Sequence, residues 1–305
     1  MIPVAAVPAE SVRVGKDWGE TMAQGAQSGE LLLIATPIGN LADLTRRAAD
    51  ALAGLDLLLC EDTRITARLI GHLGLRVPLR AYHDHNADRQ RPAVLAALAA
   101  GQRVGLVSDA GTPLVSDPGF KLVRACLDAG VAVTALPGPS APTTALLLSG
   151  LPPDRFYFGG FLPPRAGPRQ RALAAVAALD ATLIFFESAR RLAASLADAG
   201  AVLGPRPAAV ARELTKRFEE VRRADLATLA AHYATAGPPK GEIVVVIGGA
   251  DAAAGVASAE EVDAKLTLKL ADASLRDAVR QVTAESGWTR ADVYARALAL
   301  RDGDG

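Results

Sequence analysis

Cysteine is nearly absent: Cys60 and Cys126 are the only two in 305 residues. Two thiols cannot build a disulfide framework or a four-thiolate metal centre, and both sit in apolar text that suits reduced core residues. Aromatic residues make up 4 %, too few for broad base-stacking platforms. A net charge is missing as well. The 33 Lys+Arg are cancelled by 33 Asp+Glu, which argues against a chain-wide basic coat for nucleic acid but leaves room for a local basic face. Only six of the basic residues are lysines. No apolar run approaches the roughly 20 residues of a membrane helix. Residues 1–30 lack the basic start and apolar core of a signal peptide. A soluble, cytoplasmic protein with no membrane partner is expected.

What is present reads as a globular α/β protein. Hydrophobic residues are 50 % and charged residues 22 %, and the length accommodates two domains. Residues 1–29 are aperiodic and read as a flexible leader. Short apolar runs then recur at 31–36, 56–61, 77–82, 103–109 and 131–136. Stretches of helical period, such as 41–55, 88–100 and 120–129, lie between them. Several runs are apolar on both faces, the signature of a parallel sheet covered by helices. A second set follows at 155–163, 181–188, 208–214 and 241–249, with helices near 169–179, 189–199 and 225–235. The text GLPPD, Gly150–Asp154, separates the sets, giving domains at 30–150 and 151–250. A third piece, 258–305, reads as a helix-turn-helix-like tail. Ser274 is its first N-cap, Gly287 a stop, and Thr289 to Asp292 a capping box. It is either a helical tail packed on the body or an RNA-contacting appendage.

In α/β sheets ligands gather where strands end, so the loops after the runs carry the chemistry. The first, TPIGNL from Thr36, lacks the Gly-x-Gly of a dinucleotide site. Pro37 and Gly39 make a tight corner and Asn40 can cap a helix. The second, CEDTR, places Glu61 and Asp62 at the end of a buried run, where a charge needs a partner. Asp62 can serve as an N-cap, while Glu61 and Arg64 are harder to explain structurally. The third, AYHDHN, concentrates His83, Asp84, His85 and Asn86. It reads as a substrate or proton-handling loop or a solvated turn, with metal binding disfavoured. The fourth, VSDAGTPLVSDPG, sets Asp109, Ala110, Gly111, Thr112 and Pro113 directly after a strand, and small residues there let a ligand approach the backbone. The fifth is LPGPSAPTTA, from Leu136. Together these loops predict a composite pocket.

These motifs, with GLPPDRF, GFLP, FFES, ARELTK and GEIVVVI following in order, resemble the tetrapyrrole methylase superfamily. They are similar in particular to its RNA-modifying branch, whose members methylate the ribose 2′-hydroxyl of a cytidine in 16S rRNA. The likeness runs from about Leu31 to Gly249. It implies two α/β domains with S-adenosylmethionine (SAM) in the cleft between them, a homodimer, no metal, and 16S rRNA in the small ribosomal subunit rather than DNA as partner. Family cofactor segments map onto Pro37, Asp109, Ala110, Gly111, Pro113, Pro137, Gly138, Ser140 and Ala141. They map further onto Phe185, Glu187, Ala211, Arg212, Glu213, Leu214, Gly241 and Glu242.

Methyl transfer from a sulfonium is an in-line displacement, so the protein positions and desolvates the reactants. A ribose hydroxyl is a poor nucleophile and gains from a base within hydrogen-bond reach. The candidate bases are His83, Asp84, Glu61 and Lys216, with Asp84 or His83 preferred; a lysine would need a depressed pKa. For RNA, residues 164–223 hold eleven basic against six acidic residues, a net of +5. The segment PPRAGPRQR (163–171) reads as a flexible basic loop. Arg64, Arg165, Arg169, Arg171 and Arg217 are the candidate RNA contacts, beside a pocket expected to be neutral. The alternatives are a same-fold methyltransferase acting on a tetrapyrrole or a protein, and a non-catalytic RNA-binding assembly protein.

Overall fold

The structure, a computed structural model, describes residues 29–250 and 259–302. The leader at 1–28, the linker at 251–258 and residues 303–305 lie outside the described residues. The first sheet has five parallel strands in the order β3-β2-β4-β1-β5. They are β1 (Glu30–Ile34), β2 (Leu57–Cys60), β3 (Leu79–Ala81), β4 (Arg103–Leu106) and β5 (Ala132–Leu136). Alternation along β1 sends Leu31 to one face and Leu32 and Ile34 to the other, and each face has its own core. Both faces are covered: by α3 (Ala87–Ala99) and α4 (Phe120–Asp128) on the Leu31 side, and by α1 (Arg46–Ala53) and α2 (Thr63–His72) on the Leu32 side. This two-sided burial explains the continuous apolar runs. Cys60 and Cys126 are free and fully buried. Burial raises both thiols, that of Cys126 to about 11.

The second sheet is mixed, in the order β6-β7-β10-β8-β9. Its strands are β6 (Phe156–Phe161), β7 (Thr182–Ser188), β8 (Pro207–Arg212), β9 (Glu220–Asp225) and β10 (Glu242–Ile247). Only β6 and β7 run parallel. One face packs on α6 (Ala166–Ala175), α7 (Leu192–Leu203) and α8 (Leu226–Ala236). The other receives Ala145 and Leu146 of α5 (Ala141–Ser149) and Ile38 from the first sheet's loops. That apolar layer joins the two halves.

Three elements differ from the sequence reading. The strand β9, EVRRAD, carries four charged residues. It pairs only with β8 at the sheet's edge, where charge deters edge-to-edge association and hides the strand from an apolar pattern. The supposed flexible loop at 163–171 is in large part the first turns of α6. The tail holds three helices rather than two. Ahead of α10 (Leu275–Ser286) and α11 (Arg290–Asp302) lies α9 (Ala259–Asp272). The polar–apolar alternation of Lys265–Leu270 masks its helical Val262–Leu266 spacing. Ser274 caps α10 by accepting from the Asp277 N–H, Gly287 closes it in the left-handed conformation, and Thr289 accepts from the Asp292 N–H. The three helices close a core of Val262, Leu266, Val279, Val282, Val293 and Ala297.

Candidate active site

The loops after β1, β4 and β5 are stapled to one another. The Thr36 and Gly111 backbones exchange hydrogen bonds of 2.9 and 3.0 Å. The Thr36 hydroxyl donates to the Ser108 carbonyl at 3.2 Å, and Thr112 donates to the Pro139 carbonyl at 3.0 Å. Gly111 has φ +87°, and a Cβ there would lie 3.2 Å from Ile38 Cγ2. Glycine therefore fits by conformation as well as by space.

These loops form one wall of a cavity of about 460 Å³, a volume in the range of small-molecule sites. Asp109, Ala110, Gly111, Thr112, Ser116 and Asp117 come from the β4 loop, and Ser140, Ala141 and Pro142 from the start of α5. The second sheet closes it with Phe186, Glu187, Ser188, Leu214, Gly241 and Glu242. Nine of the expected cofactor residues thus meet in one cavity: Asp109, Ala110, Gly111, Ser140, Ala141, Glu187, Leu214, Gly241 and Glu242. Pro37, Pro113, Pro137 and Gly138 lie in the same loops without lining it, and Ala211 belongs to the apolar layer behind it. Two residues require correction. Phe185 faces the α6–α8 side of the second sheet, so its neighbour Phe186 lines the cavity instead. Arg212 is likewise off the wall, paired with Glu220 at 2.9 Å across to β9. A period-two strand exchanges faces with each residue, and a motif taken as a block does not record it.

Glu213 acts as a latch. Its Oε1 accepts from the Glu242 N–H at 3.0 Å and from Lys216 Nζ at 2.9 Å. Glu213 itself holds φ 50° and Thr215 φ 64°. Gly241, at φ +100°, comes so close that a Cβ would strike the Glu213 carboxyl at 2.3 Å. The latch fixes the rim where β8 and β10 meet.

Lys216 is not a base. Burial pulls its pKa down, but hydrogen bonds to Glu242 and Glu213 outweigh that and leave it raised. Its ammonium is 2.9 Å from each carboxylate. His83 is held in place by Asn86. The Asn86 Oδ1 accepts from the His83 N–H at 3.0 Å, and Nδ2 donates to the Ala81 carbonyl at 3.0 Å. That orientation aims the second Nδ2 proton at His83 Nε2, 3.2 Å away. His83 Nδ1 is buried without a partner. Asp84 is exposed and outside the cavity wall.

The carboxylates form a chain instead. Asp62 caps α2 by accepting from the Arg64 N–H, and its own N–H donates to Asp109 Oδ1 at 3.0 Å. The Glu61 pKa is raised by burial and then by Asp109 and Asp84. Asp117, which the sequence reading passed over within SDPG, is pushed up to about 6. Burial contributes most and the Glu61 charge next. The cavity wall bears Asp109, Asp117, Glu187 and Glu242, and among the described residues no lysine or arginine lines it. The wall is acidic, and the expectation of a neutral pocket is corrected. Glu187 is neutralised locally, 2.6 Å from Arg191 and accepting from Ser195 at 2.5 Å.

The +5 stretch is largely consumed inside the fold. Arg169 is buried against Asp198 at 2.5 Å, so it cannot meet RNA. Arg206 is buried on the Leu203, Gly248 and Ala177 carbonyls, and Arg223 binds the Leu148 and Ser149 carbonyls. Arg64, Arg165, Arg171 and Arg217 are exposed. Arg64 also pairs with Asp62 at 2.5 Å, and Arg217 lies over the exposed ring of Phe218.

A parallel sheet and a mixed sheet closing on one acidic cavity define the class. The chain belongs to the tetrapyrrole (corrin/porphyrin) methylase family, whose family model matches residues 30–230. Among its relatives are proteins called ribosomal RNA small subunit methyltransferase I. That of Mesorhizobium japonicum is 50 % identical over 90 % of this chain and 93 % of its own. That of Escherichia coli O157:H7 is 48 % identical over 72 % and 78 %. A solved uroporphyrin-III C-methyltransferase of Thermus thermophilus shares the fold, with TM-score 0.52 at 21 % identity over 73 % of this chain and 94 % of that one. A diphthine synthase structure reaches TM-score 0.57 at 17 % identity, covering 72 % and 90 %.

Proposed function

We propose that the protein is a SAM-dependent methyltransferase that methylates the ribose 2′-hydroxyl of a cytidine in 16S rRNA of the small ribosomal subunit. The observation that carries this reading is the cavity between the sheets, beside which Asp62 of the EDTR loop donates its N–H to Asp109 of the wall. Relatives bearing the rRNA methyltransferase name over nine-tenths of the chain support the substrate class. We read the protein as a cytoplasmic homodimer. The exposed apolar side chains of the edge strand β6, Phe156, Tyr157 and Phe161, favour self-association.

The residues present fit SAM. Asp109 and Glu242 on the wall suit a positively charged ligand, and the left-handed Gly111 opens the backbone to it. Asp109, Gly111, Ser140, Ala141, Leu214 and Glu242 would hold it. When bound, it supplies a methyl group on a positive sulfur that leaves as a neutral thioether. The protein's part is to orient the ribose and exclude water, because the displacement needs alignment more than covalent help. The EDTR loop, tied to the cavity wall through the Asp62–Asp109 hydrogen bond, and the HDHN loop face the acceptor. Arg165, Arg171 and Arg217 meet the RNA backbone.

A screen with labelled SAM tests the assignment. Isolated small subunits should accept label, whereas uroporphyrinogen and a translation-factor protein should not. Transfer to either of the latter at a comparable rate would favour the same-fold alternatives.

A further inference from the structure

Among the described residues, one acidic side chain of the cavity is held neither by a cation nor by a backbone N–H. Glu187 is tied to Arg191, Glu242 to Lys216, and Asp109 to the Asp62 N–H. Asp117 lines the same wall and has no cation beside it. The groups around its carboxyl are the Ser108 hydroxyl and the carboxylates of Glu61 and Asp109. The Ser108 hydroxyl also reaches the Gly111 carbonyl at 3.2 Å. The backbone is set to hold Asp117 in place. Leu114 at φ 71° and Ser116 at φ 67° are both non-glycine residues in the left-handed region, a conformation disfavoured for a residue with a Cβ. Such strain gathers where a side chain must be aimed.

We propose that Asp117 is the general base of the reaction, accepting the proton of the ribose 2′-hydroxyl; this rests on the methyltransferase reading above. The hydroxyl oxygen gains the methyl carbon while the carbon–sulfur electron pair leaves on sulfur. The hydroxyl proton passes to the Asp117 carboxylate and from there to solvent. A carboxylate with its pKa lifted to about 6 is charged at neutral pH yet far more basic than an ordinary aspartate, as a general base requires. Its elevation comes from burial first and from Glu61 and Asp109 after it. Asp84, exposed and off the wall, is not placed to be the first acceptor of the proton.

The test is single-turnover methylation of small subunits between pH 5 and 8.5 by the wild type, Asp117→Asn, Asp117→Glu and Asp84→Asn, with SAM affinity measured by calorimetry on each. The wild-type rate should rise to a plateau with an inflection near about 6. Asp117→Asn should lose on the order of a hundredfold or more, lose the inflection, and bind SAM within about threefold of wild type. Asp117→Glu should recover part of the rate, and Asp84→Asn should lose no more than about tenfold. Asp117→Asn within threefold of the wild-type rate, or loss of rate together with SAM affinity, would overturn the assignment. A wild type that binds SAM but leaves small subunits unmethylated would instead overturn the substrate reading.

Discussion

At the scale of single residues, the cavity trades stability for chemistry. Asp117 has its pKa raised in the fold by burial and by Glu61. A raised acid favours the folded state below its unfolded pKa, and that advantage is lost as pH rises through about 6. Asp117→Asn, which removes the charge, should therefore raise stability at pH 7.5 by on the order of 1 kcal/mol after solvent screening, and the melting temperature with it. The gain should vanish near pH 4; thermal melts at both values check this. Gly111→Ala should act oppositely. It forces a side chain to φ +87° against Ile38, costing about 1–2 kcal/mol and weakening SAM affinity, measurable by melting and calorimetry together. Asp109, Gly111 and Glu242 were legible from motifs alone. Asp117 was not, because its role depends on Glu61, which is 56 positions away in the chain.

Elements show where a charge pattern misleads. Composition puts a net +5 on residues 164–223, yet α6 turns Arg169 inward, onto Asp198 of α7 at 2.5 Å. Arg165 and Arg171 stay outside. Arg169→Ala should cost on the order of 2 kcal/mol by leaving the half-buried Asp198 carboxylate with Gln170 alone as its donor. Arg165→Ala with Arg171→Ala should leave stability unchanged, weaken subunit binding and flatten its salt dependence. Denaturation curves and binding at two salt concentrations separate the cases. The strands of the first sheet were readable because both their faces are buried. The strand β9 and the inward turn of Arg169 were not, since one is an all-polar edge and the other is fixed by a partner 29 residues on. The exchange of Phe185 for Phe186 at the wall has the same origin: a motif names a segment, and the pleat decides which of its side chains faces the ligand.

For the whole molecule, two sheets share the site while the tail keeps a core of its own. None of the cavity residues comes from α9, α10 or α11. A chain ending at residue 250 should bind SAM within about threefold of the full chain, and calorimetry would detect any larger loss. The zero net charge conceals unlike parts: an acidic cavity suited to a sulfonium, arginines such as Arg169 and Arg206 spent on internal carboxylates and carbonyls, and exposed arginines such as Arg165 and Arg171 whose charge the acids of the chain balance. Such a surface grips phosphate weakly, so recognition would rest on fitting a structured RNA rather than on charge alone. The central claim is the acceptor atom. Mass spectrometry of 16S rRNA from cells lacking the gene, and from cells complemented with the wild type or Asp117→Asn, tests it most directly. The account predicts that one cytidine loses its ribose methyl on deletion, regains it with the wild type, and does not with the variant. An unchanged set of ribose methyls in the deleted cells would contradict it.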